Sequence, residues 1–325
     1  MYKAFYNLTR NPFEITPDPS FLFPTKKHNE ALASLYYGVR RHKGFVVLTG
    51  EVGTGKTLLL RCLLQLLKRN NDVAYAYVFN GRLSSVEFLQ YVAGDLGLPV
   101  ANKNKGELLL ELSSYVIDRG RNNLTTVLVV DEAHQLSTEI LEEIRLLTNL
   151  ETTQSKLLQI LLVGQPELDE KLDSFDLRQL KQRIAFRSRL TPLDLNETRG
   201  YIERRLQLAG ANSHASELFP PQTIAAVYRA TGGFPRLINT VCENALIAAY
   251  SKQLHSVTPE IIEDIATEFR LGVVQSSWSG NPKLFDDGDF RNAAKALLDL
   301  YDRMQRSGSP RPSDIAAMPR EVTKP

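Results

Sequence analysis

The sequence predicts an α/β fold: a parallel five-stranded sheet with helices on both faces, followed by a small all-helical domain and a flexible polar tail. Three observations carry that expectation. Between residues 45 and 190, nearly continuous apolar, β-rich runs alternate with helical patterns, as expected for strands buried on both faces of a parallel sheet. A glycine-rich octet, Gly50-Glu51-Val52-Gly53-Thr54-Gly55-Lys56-Thr57, joins the first run to the first helical pattern after it. After residue 192 the strand signal ends and only helical patterns remain, punctuated by Gly210, Gly232-Gly233 and Thr258-Pro259.

Taken in order, residues 1–29 are irregular, with turns at Asn11-Pro12-Phe13 and Pro17-Asp18-Pro19. A helix is expected over 30–42 from Ala31, Leu32, Leu35, Tyr36 and Val39. The five strands are Phe45–Thr49, Val73–Phe79, Val127–Asp131, Leu158–Val163 and Ile184–Leu190. Helices are expected over 57–69, 84–96, 105–119 and 138–151, with a capping box at Ser84-x-x-Glu87 and a cap at Ser137. Further helices follow near 194–209, 221–231, 236–252 and 259–270, the last opened by Thr258 and Pro259. The expected division is an α/β domain over 1–192 with 1–29 as its extension, a helical domain over 193–271, and a tail over 272–325. The tail is rich in Ser, Gly, Pro and Asp. It carries one amphipathic stretch (Phe290, Ala294, Leu297, Leu298, Tyr301, Met304) that either docks a partner or packs on the body.

Composition bounds the function broadly. Of 325 residues, 43% are hydrophobic and 23% charged, as in ordinary globular proteins, and the net charge of +2 is too small to argue for nucleic acid or a membrane surface. Cys62 and Cys242 are far apart, without metal-ligand spacing, and read as buried small hydrophobes in a reducing compartment. No apolar run approaches the roughly 20 residues that span a bilayer, and the N-terminus has no apolar signal core. The expected location is cytoplasmic, with any membrane association made through a partner.

The octet satisfies G-x-x-x-x-G-K-[ST] at every fixed position, and its strand–loop–helix context agrees. Loop N–H groups and a helix N-terminus carrying roughly half a positive charge make a phosphate cradle. The expected nucleotide-binding set is Gly50, Glu51, Val52, Gly53, Thr54, Gly55, Lys56, Thr57 and Leu58. Lys56 would reach the β/γ-phosphates and the Thr57 hydroxyl would hold Mg²⁺.

The second half of the chemistry is Val127-Leu128-Val129-Val130-Asp131-Glu132, a hydrophobic strand ending in paired carboxylates. Asp131 is placed to meet the Mg²⁺ at Thr57, directly or through water, and Glu132 to act as general base on the attacking water. His134 reads as a structural or coupling residue. Gln165, after the next strand, is expected to face the γ-phosphate and orient water, the alternative being a local turn role. Among Arg178, Lys181, Arg183, Arg187 and Arg189, Arg183 is the first candidate and Arg187 the second for a guanidinium supplied to a neighbouring subunit's site. A solvated basic face and a nucleic-acid patch remain open for the same cluster. Arg236 sits in a helix's first turn, where a cation opposes the dipole; the γ-phosphate across an interdomain cleft is the charge it would answer.

In this order the residues resemble the AAA+ ATPases: Gly50–Thr57 is similar to Walker A, Val127–Glu132 to Walker B, Gln165 to sensor 1, Arg183 to the arginine finger and Arg236 to sensor 2. Asn11-Pro12-Phe13, Pro17-Asp18-Pro19-Ser20-Phe21-Leu22-Phe23, His28-x-Glu30-Ala31-Leu32, Val163-Gly164-Gln165-Pro166-Glu167-Leu168 and Gly233-Phe234-Pro235-Arg236 resemble the ExeA family (general secretion pathway protein A). The resemblance runs from residue 1 to about 271. It implies an AAA+ α/β domain with a helical lid, ATP hydrolysis with Mg²⁺, and self-assembly into a ring or filament with the arginine finger in trans. It also makes Phe13 to His28 the candidate adenine-binding segment, with Phe13 and His28 as named residues.

Secretion members of that family carry a transmembrane helix and a peptidoglycan-binding domain after the ATPase, where this chain has a polar tail. The expected function is therefore a cytoplasmic ATPase coupled to a membrane-associated secretion or exopolysaccharide-export assembly. The alternative is an ATP-dependent DNA-binding transposition regulator of the MuB/TniB type. A helicase reading of Asp131-Glu132-Ala133-His134 would need a second sheet that residues 192–325 do not supply.

Overall fold

The computed structural model describes residues 2–69, 72–79, 83–152, 155–211 and 215–271. The amphipathic stretch and the rest of the 272–325 tail lie outside these residues. The elements in order are α1 (Tyr2–Phe5), α2 (Lys26–Arg40), β1 (Phe45–Gly50), α3 (Lys56–Lys68), β2 (Val73–Val78), α4 (Ser85–Asp95), α5 (Lys105–Arg121), β3 (Thr125–Val130), α6 (Thr138–Leu147), β4 (Leu158–Gly164), α7 (Glu167–Leu172), α8 (Arg178–Lys181), β5 (Ile184–Leu190) and then α9 (Leu195–Leu208), α10 (Ala215–Leu218), α11 (Pro221–Thr231), α12 (Pro235–Ser251) and α13 (Pro259–Glu268).

The five strands form one sheet of order β2-β3-β4-β1-β5, with every neighbouring pair parallel. The three inner strands are buried along their whole length, which is why their sequences are continuous apolar runs. Their side chains divide by twos between the faces. Phe45, Val47, Leu128, Val130, Ile160 and Leu162 pack with the helices from α4 to α8. Val46, Leu48, Val127, Val129, Leu161 and Val163 pack with α2 and α3 on the other side. At the β5 edge Ala185, Arg187 and Arg189 are exposed in alternation. The fold class is as the sequence predicts.

Local signals also hold. Ser84 and Glu87 make the reciprocal capping box, and Ser137 accepts from the Ile140 N–H at the start of α6. Other boundaries shift for identifiable reasons. α2 begins at Lys26, ahead of the expected residue 30, because Thr25 caps it by accepting the His28 N–H. α6 ends at Leu147, where the Thr148 hydroxyl turns back to the Arg145 carbonyl at 2.6 Å. Helices α1, α7, α8 and α10 are four to six residues long, too short to leave a helical period in the sequence.

One expectation is corrected. The stretch 1–29 does not extend the α/β layer as a unit. Tyr2, Tyr6, Leu8 and Phe13 lie in the core of the helical region, with Ile202, Leu206, Phe219 and Leu246. The Tyr2 hydroxyl donates to Glu243 at 2.8 Å, the Tyr6 hydroxyl to the Leu254 carbonyl at 2.9 Å, and the Thr9 N–H to the Ala209 carbonyl at 2.7 Å. Five helices offer little apolar surface to one another, and each large side chain taken from water here contributes about 1.5–3 kcal/mol. The chain rejoins the α/β side from Pro17, whose carbonyl accepts Arg61 of α3 at 2.7 Å, and enters its core at Leu22.

Two backbone contacts fix the start of the helical lid and its seat on the loop after β1. The Leu193 N–H donates to the Gly233 carbonyl at 2.9 Å, and the Arg236 N–H to the Gly53 carbonyl at 3.3 Å. Gly233 has φ +78°, and a Cβ there would lie 1.9 Å from the Leu193 oxygen. A side chain at this position would collide with the backbone where the chain enters the lid.

Candidate active site

Because β1 pairs with β4 and β4 with β3, the C-terminal ends of the three strands emerge side by side. Gly50, Asp131 and Gln165 leave the sheet at that edge, the place where parallel α/β sheets receive ligands. The loop from Glu51 to Gly55 is drawn tight by the Thr54 hydroxyl, which donates to the Glu51 carbonyl at 2.8 Å. Gly53 has φ +82°, and a Cβ on it would sit 2.8 Å from the Arg236 Cβ, so the loop and the lid touch at a residue that has to be glycine.

Lys56 opens α3 and is 6% exposed. Its ammonium donates to the carbonyls of Gly50 at 2.7 Å and Glu51 at 3.0 Å. Burial pulls its pKa below the ordinary lysine value, while the charges of Glu132, Asp131, Glu51 and Glu167 push the other way. The next residue, Thr57, donates its hydroxyl to Asp131 Oδ2 at 3.1 Å. That oxygen also accepts the Tyr77 hydroxyl at 2.8 Å, and Oδ1 accepts the Glu132 N–H at 2.9 Å. Burial, with the adjoining Asp131 charge, raises the Tyr77 phenol well above its ordinary value and keeps it a donor.

Glu132 has φ 53°. A left-handed conformation costs a non-glycine residue about 1–2 kcal/mol, the kind of strain that gathers at functional positions. Its Oε2 is buried with no hydrogen-bond partner and lies 3.4 Å from His134 Nδ1. His134 in turn meets Gln165 twice, at the backbone N–H (3.4 Å to Nδ1) and at the side-chain amide (3.1 Å to Nε2). Lys171 ties the segment down by donating to the His134 and Leu136 carbonyls, both at 2.7 Å. His134 thus couples the end of β3 to the end of β4.

Gly53, Lys56, Thr57 and Glu132 border a cleft of about 390 Å³, with Asp131 behind Thr57. Its walls include Val52, Gly53, Gly55, Lys56, Thr57, Leu58 and Glu132 from the α/β side, and Tyr201, Arg205, Pro235, Arg236 and Asn239 from the lid. Glu14, Ile15, Thr16, Pro17 and Asp18 of the N-terminal strap complete it. Gly50, Glu51 and Thr54 sit behind the wall as the loop's frame, and Gln165 stands beyond it on His134.

The remaining expected residues are placed differently. Phe13 is fully buried, edge-on to Phe219 at 5.7 Å between ring centroids, and does not reach the cleft. As the most apolar residue of its turn it serves the lid's core, and the five residues after it form the wall. His28 is 6% exposed and lies beneath the loop. Its Nε2 is 3.1 Å from the Thr54 carbonyl, which only accepts, so Nε2 carries the proton. Nδ1 then accepts the Thr25 hydroxyl at 2.7 Å, and the Thr25 oxygen accepts the His28 N–H. Burial lowers the imidazole pKa from its ordinary 6.5. His28 braces the loop from below instead of lining the cleft.

Arg183 and Arg187 are outside this chain's cleft. Arg183 donates to the Arg145 carbonyl at 3.1 Å and to the Thr148 hydroxyl. Arg187 pairs with Asp173 at 3.1 Å and Asp169 at 3.5 Å.

Sequence reasoning did not find Tyr77, Tyr201, Arg205 or Asn239. Arg205 is 4% exposed. Its guanidinium donates to the Pro12 carbonyl at 2.6 Å, the Glu14 carbonyl at 3.1 Å and the Tyr201 hydroxyl at 2.7 Å. Tyr201 passes its own proton to Asn239 Oδ1 at 2.9 Å. The signal was an arginine on an apolar helix face, since Tyr201, Ile202, Arg205 and Leu206 share one side of α9.

Thr57 and Asp131 offer hard oxygen ligands of the kind Mg²⁺ prefers, beside a buried Glu132 oxygen with no donor. Among the described residues no cluster of three or more His, Cys, Asp or Glu side chains is placed to hold a metal alone. A cation here would be completed by phosphate and water. The residues present fit the ion.

The fold is that of the AAA+ P-loop class. Residues 39–172 match the AAA domain family model. The chain is 42% identical over 258 residues to general secretion pathway protein A of Aeromonas hydrophila, bearing out the ExeA-family resemblance. The match covers 79% of this chain and 46% of that protein, so the chain spans about half the length of its curated relative. Among solved structures it is similar in fold to the ORC2 protein of Aeropyrum pernix in its ADP form (TM-score 0.60, 17% identity, 92% of this chain and 89% of that one). It is likewise similar to Cdc6p of Pyrobaculum aerophilum (0.60, 17%, 92% and 84%) and to ORC1 of Aeropyrum pernix in complex with DNA (0.59, 18%, 80% and 69%). Among the described residues no helix is long and apolar enough to cross a membrane.

Proposed function

We propose that the cleft takes ATP with Mg²⁺ and that the chain hydrolyses it. The observation that carries this reading is the meeting, around one cleft, of Lys56, Thr57, Asp131 and the unpartnered Glu132 carboxylate with Arg236 from the lid. Loop N–H groups and the N-terminus of α3 receive the phosphates. Lys56 exchanges the Gly50 and Glu51 carbonyls for β- and γ-phosphate oxygens. When bound, Mg²⁺ would neutralise charge on the phosphates, and Thr57 and Asp131 are the side chains that hold it.

Glu132 takes a proton from the attacking water at Oε2, and Gln165, held by His134, orients that water. Arg236 answers the γ-phosphate from the lid. The lid, 193–271 together with the strap packed into its core, moves with the nucleotide as one body. Arg183, or failing it Arg187, serves a neighbouring subunit in a ring or filament, after exchanging its bonds within its own chain.

The name of the 42%-identical relative supports coupling of turnover to a membrane-associated secretion or export assembly. The likeness to an ORC1 protein solved with DNA motivates the second reading, an ATP-dependent DNA-binding regulator. Binding to random duplex DNA at two salt concentrations separates them. A steep fall in log affinity with log salt supports the DNA reading, and no ATP-dependent binding at low salt removes it.

Phosphate release from ATP, with and without Mg²⁺, tests the enzymatic reading. We expect Mg²⁺-dependent turnover that falls by roughly 10²–10⁴ in Glu132→Gln, as for loss of a general base, with ATP binding retained. Equal turnover in the variant would remove Glu132 from that role.

A further inference from the structure

We propose that Tyr77 is a positioning residue for the metal side of the site: its hydroxyl fixes the Asp131 carboxylate beside the Thr57 hydroxyl. The inference rests on the Mg²⁺·ATP reading above and adds a residue that neither phosphate-binding motif contains.

A carboxylate offers about four acceptor directions, two on each oxygen. Asp131 Oδ2 accepts the Tyr77 hydroxyl at 2.8 Å and the Thr57 hydroxyl at 3.1 Å, which uses both of its directions. Oδ1 accepts the Glu132 N–H at 2.9 Å, leaving one. Thr57 spends only its proton on Asp131 and keeps its oxygen lone pairs for a cation. The Tyr77 hydroxyl thus fixes which Asp131 oxygen faces Thr57 and which keeps a direction free.

Tyr77 is itself firmly placed. It lies near the C-terminal end of β2, in register with Val129 of β3, and its backbone N–H donates to Asp95 Oδ2 at 2.6 Å. The ring packs against the core formed with α2 and α3. The Asp131 N–H donates to the Val78 carbonyl at 2.8 Å, so one stretch of β2 holds both the backbone and the carboxylate of Asp131. Outer partners of this kind orient the groups around a metal, and their loss typically weakens metal affinity about 10–100-fold.

The test is binding of a fluorescent ADP analogue to the full chain across a Mg²⁺ titration. Tyr77→Phe keeps the ring and removes the hydroxyl. Tyr75→Phe, two residues back on the same strand face with its ring under the Lys68 ammonium, is the control. We expect the half-saturating Mg²⁺ to rise about tenfold in Tyr77→Phe, with affinity in EDTA unchanged and Tyr75→Phe matching the wild type. In an Asp131→Asn background, Tyr77→Phe should have no further effect, because the hydroxyl acts through that carboxylate. Wild-type Mg²⁺ dependence in Tyr77→Phe, or an undiminished effect in the Asp131→Asn background, would overturn the assignment while leaving the nucleotide reading intact. Absence of Mg²⁺-dependent binding in the wild type would overturn both.

Discussion

The two walls of the cleft are built in opposite ways. On the α/β side, Gly53, Lys56 and Thr57 follow one another along the chain, and Asp131 and Glu132 are brought to them by strand order alone. On the lid side the pieces come from distant parts of the chain. Arg205 meets the Pro12 carbonyl across 193 positions of sequence, and Asn239 reaches Tyr201 across 38. The first wall places chemical groups with backbone. The second places the strap with one buried guanidinium.

The comparison is broken most severely at Arg205. Arg205→Met keeps much of the volume but leaves the Pro12 carbonyl and the Tyr201 hydroxyl without their donor and the Glu14 carbonyl with only the Asn239 amide at 3.5 Å. Unmet buried groups cost about 1–3 kcal/mol each; allowing for relaxation, we expect a loss of roughly 3 kcal/mol. Denaturant titration checks this. A loss below about 0.5 kcal/mol, the range of surface changes, would mean that the strap is held by its apolar residues alone.

Arg236→Ala tests whether the lid contributes to chemistry as well as to shape. Removal of a group that stabilises charge in the transition state lowers kcat by about 10²–10³, and ADP affinity should change little by comparison. Equal losses in ADP affinity and kcat would make Arg236 a general anchor.

The smallest effect concerns the brace beneath the α/β wall. Burial lowers the His28 pKa from 6.5, so the unfolded chain binds its proton more readily than the folded one. His28's contribution to stability is full above about pH 6.5 and is lost as pH falls through the folded-state pKa. Chemical denaturation at pH 7.5 and 5.5 should show a pH-dependent loss in the wild type that is reduced in His28→Gln. An identical pH dependence in both would remove His28 as its source.

The same contrast explains what was legible in the sequence. The sheet and the acid-and-lysine half of the site could be read because each depends on neighbours in sequence: a period of two, a continuous apolar run, or an eight-residue loop. Phe13 was misplaced because an aromatic in a proline-marked segment before the loop looks the same whether it stacks on a base or fills a core. What decides is the supply of apolar surface in the lid, including Phe219, which lies far along the chain. Arg205 and Tyr77 act through partners no local pattern specifies, although an arginine on the apolar face of α9 was a visible irregularity.

The most direct test of the account is calorimetric titration of the full chain and its Lys56→Ala variant with ATP and Mg²⁺. The account predicts saturable binding to the wild type and at least about tenfold weaker binding to the variant, the loss of about 1.4 kcal/mol expected when one charge-assisted phosphate contact is removed. No binding to the wild type, or equal affinity in both proteins, would contradict it.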